Sequence, residues 1–313
     1  MQLPAMAAWA WVPLVLAAAL AQTGRNAAQR NLTREIGTLP ATLVRFLYGL
    51  PMAAAWLALV LALTSPQESV QQLREAWNLS YAGWMCLGAL SQLLATALLL
   101  AAMKARNFVV AVAYSKTDVL QVALFAILFL QEIPSGLGAL AMAIATLGVL
   151  ILSRPPQGTV ARAFEGWLSP AAFYGLGSGA GFAMASVGYR GAALALPQIS
   201  PWLIGACGVL LAQLLQTLLL GSFLLLRQPG AVRAIAKAWR LSSVAGTLGA
   251  LASIGWLTAA ALRPAADVRT LGLVEVLFSY LVSSRLFSER LSTGELLGLA
   301  LVTGGLVLIC LQL

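Results

Sequence analysis

The chain has no histidine among its 313 residues, and only 9% of them are charged, against about 25% in soluble domains. Without histidine a Ser-His-Asp triad is impossible. The three cysteines, Cys86, Cys207 and Cys310, fall in separate apolar segments with no metal-ligand spacing, so they read as small lipophilic side chains and no zinc site is expected. A membrane-embedded enzyme of the aspartyl-protease kind would use two carboxylates. No Gly-x-Gly-Asp context surrounds Asp118, however, and its candidate partner is a glutamate. The sequence therefore predicts no enzyme, no cofactor and no metal.

In place of charge there is apolar length. Residues 60% hydrophobic are arranged in runs of about eighteen or more, each long enough to cross a hydrocarbon core about 30 Å thick as a helix. Helices and closed barrels are the two spanning solutions in lipid. A barrel needs period-two alternation, and the run over 208–226 (GVLLAQLLQTLLLGSFLLL) has none. The predicted fold is an all-α integral membrane protein with ten transmembrane helices over 9–30, 40–63, 80–103, 107–130, 134–153, 168–190, 200–226, 241–262, 266–287 and 294–312. The first run lacks a basic n-region and a small-residue cleavage site, and so reads as a span and not a signal peptide. The net charge of +9 comes from Lys and Arg scattered singly through short loops. That pattern suits anionic lipid headgroups and not nucleic acid. The expected partners are membrane lipid and a small-molecule substrate, in a monomer or homodimer.

The linker at 154–167, with Pro155, Pro156 and Gly158, interrupts helix and divides the chain into repeats over 1–157 and 158–313. A shift of 157 residues lays Pro13 on Pro170, Asp118 on Glu275, Glu132 on Glu289, Ser135 on Ser292, Thr146 on Thr303 and Gly148 on Gly305. Five spans per half force the halves into opposite orientations, the inverted repeat found in many secondary transporters, so a carrier becomes the leading expectation, with a channel or a structural scaffold behind it.

Asp118 lies about midway along the fourth span, and Glu275 at a similar depth in the ninth, between Arg269 and Arg285. An intramembrane carboxylate costs at least a few kcal/mol unless paired, hydrated or protonated, so both are functional candidates. If equivalent positions meet near the pseudo-two-fold axis, the two acids share one cavity, and proton coupling becomes an expectation. Helical spacing puts Tyr114, Asp118 and Gln121 on one stripe, turns Lys116 away from Asp118, and sets Glu275 beside Leu271, Phe278 and Ser279. In the first span Gln22, Arg25 or Asn26, and Gln29 recur on one face. Arg25 lies roughly 24 Å along the helix from Trp9, so it either contacts substrate or snorkels to the far interface. Arg45 and Tyr48, near the start of the second span, carry the same ambiguity. The glycines of the sixth span, 175, 177, 179, 181 and 188, predict close helix packing, with a sliding surface as the sharper reading.

Residues 265–309 (AADVRTLGLVEVLFSYLVSSRLFSERLSTGELLGLALVTGGLVLI) hold an apolar helix, a Glu289-Arg290-Leu291-Ser292 turn and a glycine-bearing final helix, with a degenerate copy at 131–152. This pattern resembles the last two helices of the drug/metabolite transporter superfamily, EamA-like branch, and Arg45-Phe46 resembles the Arg-Phe often found on that family's second helix. The resemblance implies a multi-pass protein of the plasma (inner) membrane. It implies a central cavity between repeats and alternating-access transport of an amino acid, nucleoside, sugar, cation or drug-like solute. No residue matches a substrate-defining motif, and midplane acids are not universal in that family. Relatives of this kind keep both termini in the cytoplasm, whereas Arg227, Arg233, Lys237 and Arg240 favour the opposite orientation by the positive-inside rule. The sequence alone leaves orientation open.

Overall fold

The computed structural model describes residues 9–105, 115, 117–152, 170–278 and 293–311. Among them every regular element is helical. The elements are α1 (Trp11–Ile36), α2 (Thr38–Leu47), α3 (Leu50–Leu63), α4 (Pro66–Ala76), α5 (Leu79–Ala105), α6 (Asp118–Phe125), α7 (Gly136–Leu152), α8 (Pro170–Leu194), α9 (Pro201–Arg227), α10 (Pro229–Lys237), α11 (Trp239–Leu262), α12 (Ala265–Leu271) and α13 (Thr293–Cys310). A π-helical turn, Ala126–Leu130, continues α6. Helix thus occupies each predicted apolar segment in whole or in part. Among the described residues four helical stretches are long and apolar enough to cross a membrane: Thr38–Leu63, Leu79–Lys104, Pro201–Arg227 and Trp239–Leu262. The molecule is in this respect consistent with a helical membrane protein.

The distribution of polarity agrees. On α9, Gln213 and Gln216 are buried while Leu218, Leu219, Phe223, Leu225 and Leu226 are exposed. In water this arrangement would expose apolar surface at large cost. Against hydrocarbon, leucine faces a solvent of its own kind, and helices associate through close packing and interhelical hydrogen bonds.

Two segments expected as plain connections contain helices: α4 follows α3, and α10 follows α9, each with proline in its first turn. Proline is tolerated there because its missing N–H is one the helix would not use. A different device joins α1 to α2. Gly37 alone connects them, at φ 92°, in the region that L side chains avoid. The first helix consequently runs to Ile36, past the predicted end of the first span.

Glycine faces set the main packing. Gly181, Gly188 and Gly191 of α8 seat against Ala95, Gly88 and Trp84 of α5. Numbers rise on one helix as they fall on the other, so the pair is antiparallel. The α7–α13 pair is antiparallel by the same test: Leu152 and Gly148 lie at Gly298, while Ala141 lies at Gly305. The contacts are also reciprocal. A Cβ on Gly148 would meet Gly298 and Val302; one on Gly305 would meet Ala141 and Ala145, and each of these positions is its counterpart displaced by 157. Likewise Gly181 seats on Ser91 and Ala95, and Gly24, 157 earlier, on Leu248, which is 157 beyond Ser91.

Candidate functional site

Polar side chains withdraw from the lipid-facing surface into the middle of the bundle. Gln22, Arg25, Asn26, Arg45, Gln92, Thr96, Asp118, Gln216, Arg269 and Glu275 are all buried. A buried polar group is costly unless its hydrogen bonds are met inside the protein, and most of these form two connected networks.

The first network surrounds Glu275. Its carboxylate accepts hydrogen bonds from Gln22 Nε2 at 2.6 Å and Asn26 Nδ2 at 3.0 Å. Trp256 Nε1 donates to Gln22 Oε1 at 3.0 Å. Arg25 donates through Nε and Nη2 to Asn26 Oδ1, at 3.2 and 2.6 Å. Asn26 is therefore polarised between a cation on its oxygen and an anion on its amide nitrogen, which fixes the amide's orientation. Residues i and i+4 share a helix face, so Gln22 and Asn26 present paired donors from α1 to one carboxylate.

Asp118 is held separately, in an ion pair with Arg269 Nη2. The Arg269 guanidinium lies 5.4 Å from the Trp256 ring centre and 5.8 Å from that of Phe182, between two aromatic rings that favour a cation. Each acid has partners of its own, and Trp256 touches both sets, bonding to Gln22 beside Glu275 and lying under the Arg269 guanidinium beside Asp118. Arg269, which the sequence offered only as a marker of the depth of Glu275, is a buried interior residue.

Both acids sit at helix interruptions. The chain turns at Thr117 and α6 begins at Asp118; α12 ends at Leu271, turns at Gly272–Leu273, and helix resumes over 274–278. The ninth predicted span is therefore not one continuous helix. The two positions also occupy matching places. Gly179 of α8 faces Ser115, Thr117 and Asp118; position 22, which is 179 less 157, holds Glu275.

The second network begins at Arg45, which donates to Thr96 Oγ1 at 2.6 Å. Gln92 Oε1 accepts from Tyr189 at 2.9 Å and from Gln216 Nε2 at 2.9 Å, and Thr96 donates to the Gln92 carbonyl at 2.8 Å. Arg25 and Arg45 approach each other over Gly249 of α11, where a Cβ would lie 3.0 Å from Arg45 Cγ and 3.4 Å from Arg25 Cδ.

Of the residues predicted for a site, Arg25, Asn26, Arg45, Asp118 and Glu275 belong to this interior. Arg25 is 0% exposed and Arg45 1%, so neither snorkels; the extension of α1 to Ile36 places Arg25 mid-helix. Gln29 is buried but ties α1 to the Ala41 carbonyl of α2 at 2.9 Å. Tyr48 lies toward α10, its hydroxyl 3.5 Å from the Ile235 carbonyl. Gln121 bonds to Thr117 Oγ1 at 3.2 Å. Tyr114, Lys116 and Ser279 lie outside the described residues. The sequence reading missed Gln92, Thr96, Tyr189, Gln216 and Trp256 as interior polar groups; the i, i+4 pair Gln92 and Thr96 in an apolar run was the available signal.

No protein-family model and no curated protein matches the chain. The structure is similar to a protein solved by crystallography, with a TM-score of 0.66 at 17% sequence identity over 97% of each chain. At that identity the likeness concerns the fold alone.

Proposed function

We propose that this chain is a secondary transporter of the EamA-like drug/metabolite kind. In this reading ten transmembrane helices form two inverted five-helix repeats, multi-pass in the plasma (inner) membrane. They carry a small polar or amphipathic solute by alternating access. The observation that carries it is the exchange of partners across the 157-residue offset: Asp118 lies against Gly179 of the other half, and Glu275 is bound by Gln22 of the other half. Interrupted helices on the seam between repeats are where secondary transporters place solute and coupling ions, and each of these two carries a carboxylate at its break. The reciprocal seats of Gly148 and Gly305 on antiparallel helices support the inverted arrangement.

The test is flux in proteoliposomes. A panel of amino acids, nucleosides and organic cations is screened for thermal stabilisation of the detergent-purified protein, since a ligand of the folded state raises its apparent stability. Those that bind are then loaded inside vesicles. Saturable uptake accelerated by internal solute identifies a carrier; unsaturable, conductive flux would replace the proposal with a channel. Uptake that follows an imposed pH gradient assigns proton coupling, and indifference to the gradient assigns exchange or uniport.

A further inference from the structure

Arg25 and Arg45 are the two most deeply buried cations in the described interior, and neither forms an ion pair with an acid. Arg25 is bonded through Nε and Nη2 to the neutral oxygen of Asn26, and its Nη1 meets no partner. Arg45 is bonded through Nη1 to the neutral Thr96 hydroxyl, and its Nε meets none. Among the described residues the ion pairs are Arg190 with Glu132, Arg263 with Asp267 and Arg269 with Asp118, and neither arginine takes part.

The stems of the two arginines pass the same glycine, their heads going on to Asn26 and Thr96, and like charges carried on neighbouring stems repel, strongly where water is excluded. A buried charge left uncompensated costs several kcal/mol. Asn26 transmits part of the Glu275 charge to Arg25, which feels that attraction together with repulsion from Arg269. Arg45 has no such intermediary, and besides Thr96 its guanidinium meets the Phe46 ring, 5.3 Å from the ring centre, a cation–π contact that leaves its Nε without a hydrogen-bond acceptor. What would satisfy both is an anion with two or more acceptor oxygens, the geometry that guanidinium forks match best.

We propose that Arg25 and Arg45 form a binding site for the anionic group of the carried solute, a carboxylate or a phosphate ester. Gly249 is the positioning residue that lets both stems approach it. The inference rests on the transporter reading for its meaning, but its test does not require transport. Neutral and purely cationic solutes would leave the two guanidiniums unsatisfied and bind weakly.

The test is thermal stabilisation of the full-length protein in detergent at constant ionic strength. The probes are acetate, benzoate, glutamate, glycerol 3-phosphate and glucose 6-phosphate, each beside its neutral partner: acetamide, benzamide, glutamine, glycerol and glucose. At least one anion is expected to stabilise the protein at concentrations where its neutral partner does not. A carboxylate-only or phosphate-only response identifies which group the site takes. Hydrogen bonds to charged groups contribute about 1.5–3 kcal/mol, so Arg25→Gln and Arg45→Gln are each expected to weaken that anion's binding by about tenfold or more. Arg25→Lys and Arg45→Lys keep the charge and recover part of it. Gly249→Ala crowds both stems and weakens anion binding with both arginines intact, which keeps the test open if a glutamine variant does not fold. Stabilisation equal for anions and their neutral partners, or absent for all anions, overturns the proposal. So does an anion effect unchanged in both glutamine variants and in Gly249→Ala, which would mark surface binding only. Specific anion binding without flux leaves this inference standing and removes the transporter reading; saturable flux confined to cations does the reverse.

Discussion

Asp118 and Arg269 form an ion pair between residues 151 apart in sequence, with both side chains buried and the guanidinium set between Trp256 and Phe182. Removing one member of a buried pair is far more damaging than removing both, because the survivor stays charged without a partner. Asp118→Asn is therefore expected to destabilise the folded protein by about 3–5 kcal/mol. The double variant Asp118→Asn with Arg269→Gln should recover a large part of the loss. Thermal unfolding in detergent of wild type, both single variants and the double variant checks this; additive losses would mean the pair contributes nothing as a pair.

The two glycines at the α7–α13 crossing give a prediction about symmetry. A methyl on Gly148 would come within 2.7 Å of backbone atoms of Gly298 and Val302, and one on Gly305 within 2.7 Å of the Ala141 backbone. Backbone cannot turn aside as a side chain can, so each alanine variant is expected to cost about 1–3 kcal/mol through overpacking, and the two costs should be similar. Gly304, adjacent in sequence, has open space at its Cβ position. Gly304→Ala should leave the melting temperature unchanged or slightly raised. Equal effects at 304 and 305 would contradict the described crossing.

Much of the helical framework was legible because hydropathy depends on local sequence alone: an apolar run must be helical in lipid wherever it sits. The interior was legible only in part. Asp118 and Glu275 stood out as acids in apolar runs, but Arg269, near the start of its predicted span, gave no local sign of an interior role, because its partner is 151 positions away. The reading of Arg25 turned on where α1 ends. That is decided by Gly37, whose φ of 92° permits a one-residue reversal that no hydropathy window registers. The break at Gly272–Leu273 was illegible for the opposite reason, because residues 271–274 are as apolar as a continuous helix, whereas the turn at Thr117 falls in the polar run 114–118, which helical spacing reads as one face of an unbroken helix.

Orientation, on which loop charge and family resemblance disagree, acquires a structural basis. One end of the molecule is knit by Leu32, Met103, Leu224, Ile235 and Ala245. That end gathers Arg34, Lys104, Arg227, Arg233, Lys237 and Arg240 against the acids Glu35 and, in the first turn of α13, Glu295. The opposite end carries Glu68, Glu75, Glu132 and Asp267 beside Arg74, Arg190 and Arg263. Basic loops are retained on the cytoplasmic side, so the α10 end is expected to face the cytoplasm and the start of α1 the other side. Single cysteines placed at Gly230 and at Gln67, in a background with Cys86, Cys207 and Cys310 replaced by alanine, test this with a membrane-impermeant maleimide on intact cells. Labelling at 67 but not at 230 is the expected result, and the reverse pattern would refute the assignment.

Two positions of left-handed backbone should respond to substitution with opposite signs. Gly37 occupies φ 92° between α1 and α2, and Gln131 occupies φ 56°, ψ 25° at the end of the π-helical turn. L side chains pay a steric cost of about 1–2 kcal/mol in left-handed backbone, so Gly37→Ala is expected to destabilise by about that amount. At Gln131 the cost is already present. The side chain there is exposed, so its loss removes little packing, and the chain reversal that lets Glu132 N bond to the Ala126 carbonyl at 3.2 Å does not depend on it. Gln131→Gly relieves the strain while adding some freedom to the unfolded chain, which takes back roughly 0.5–1 kcal/mol. The net expectation is a small rise in melting temperature for Gln131→Gly against a clear fall for Gly37→Ala. A fall in both would place Gln131 outside the left-handed region.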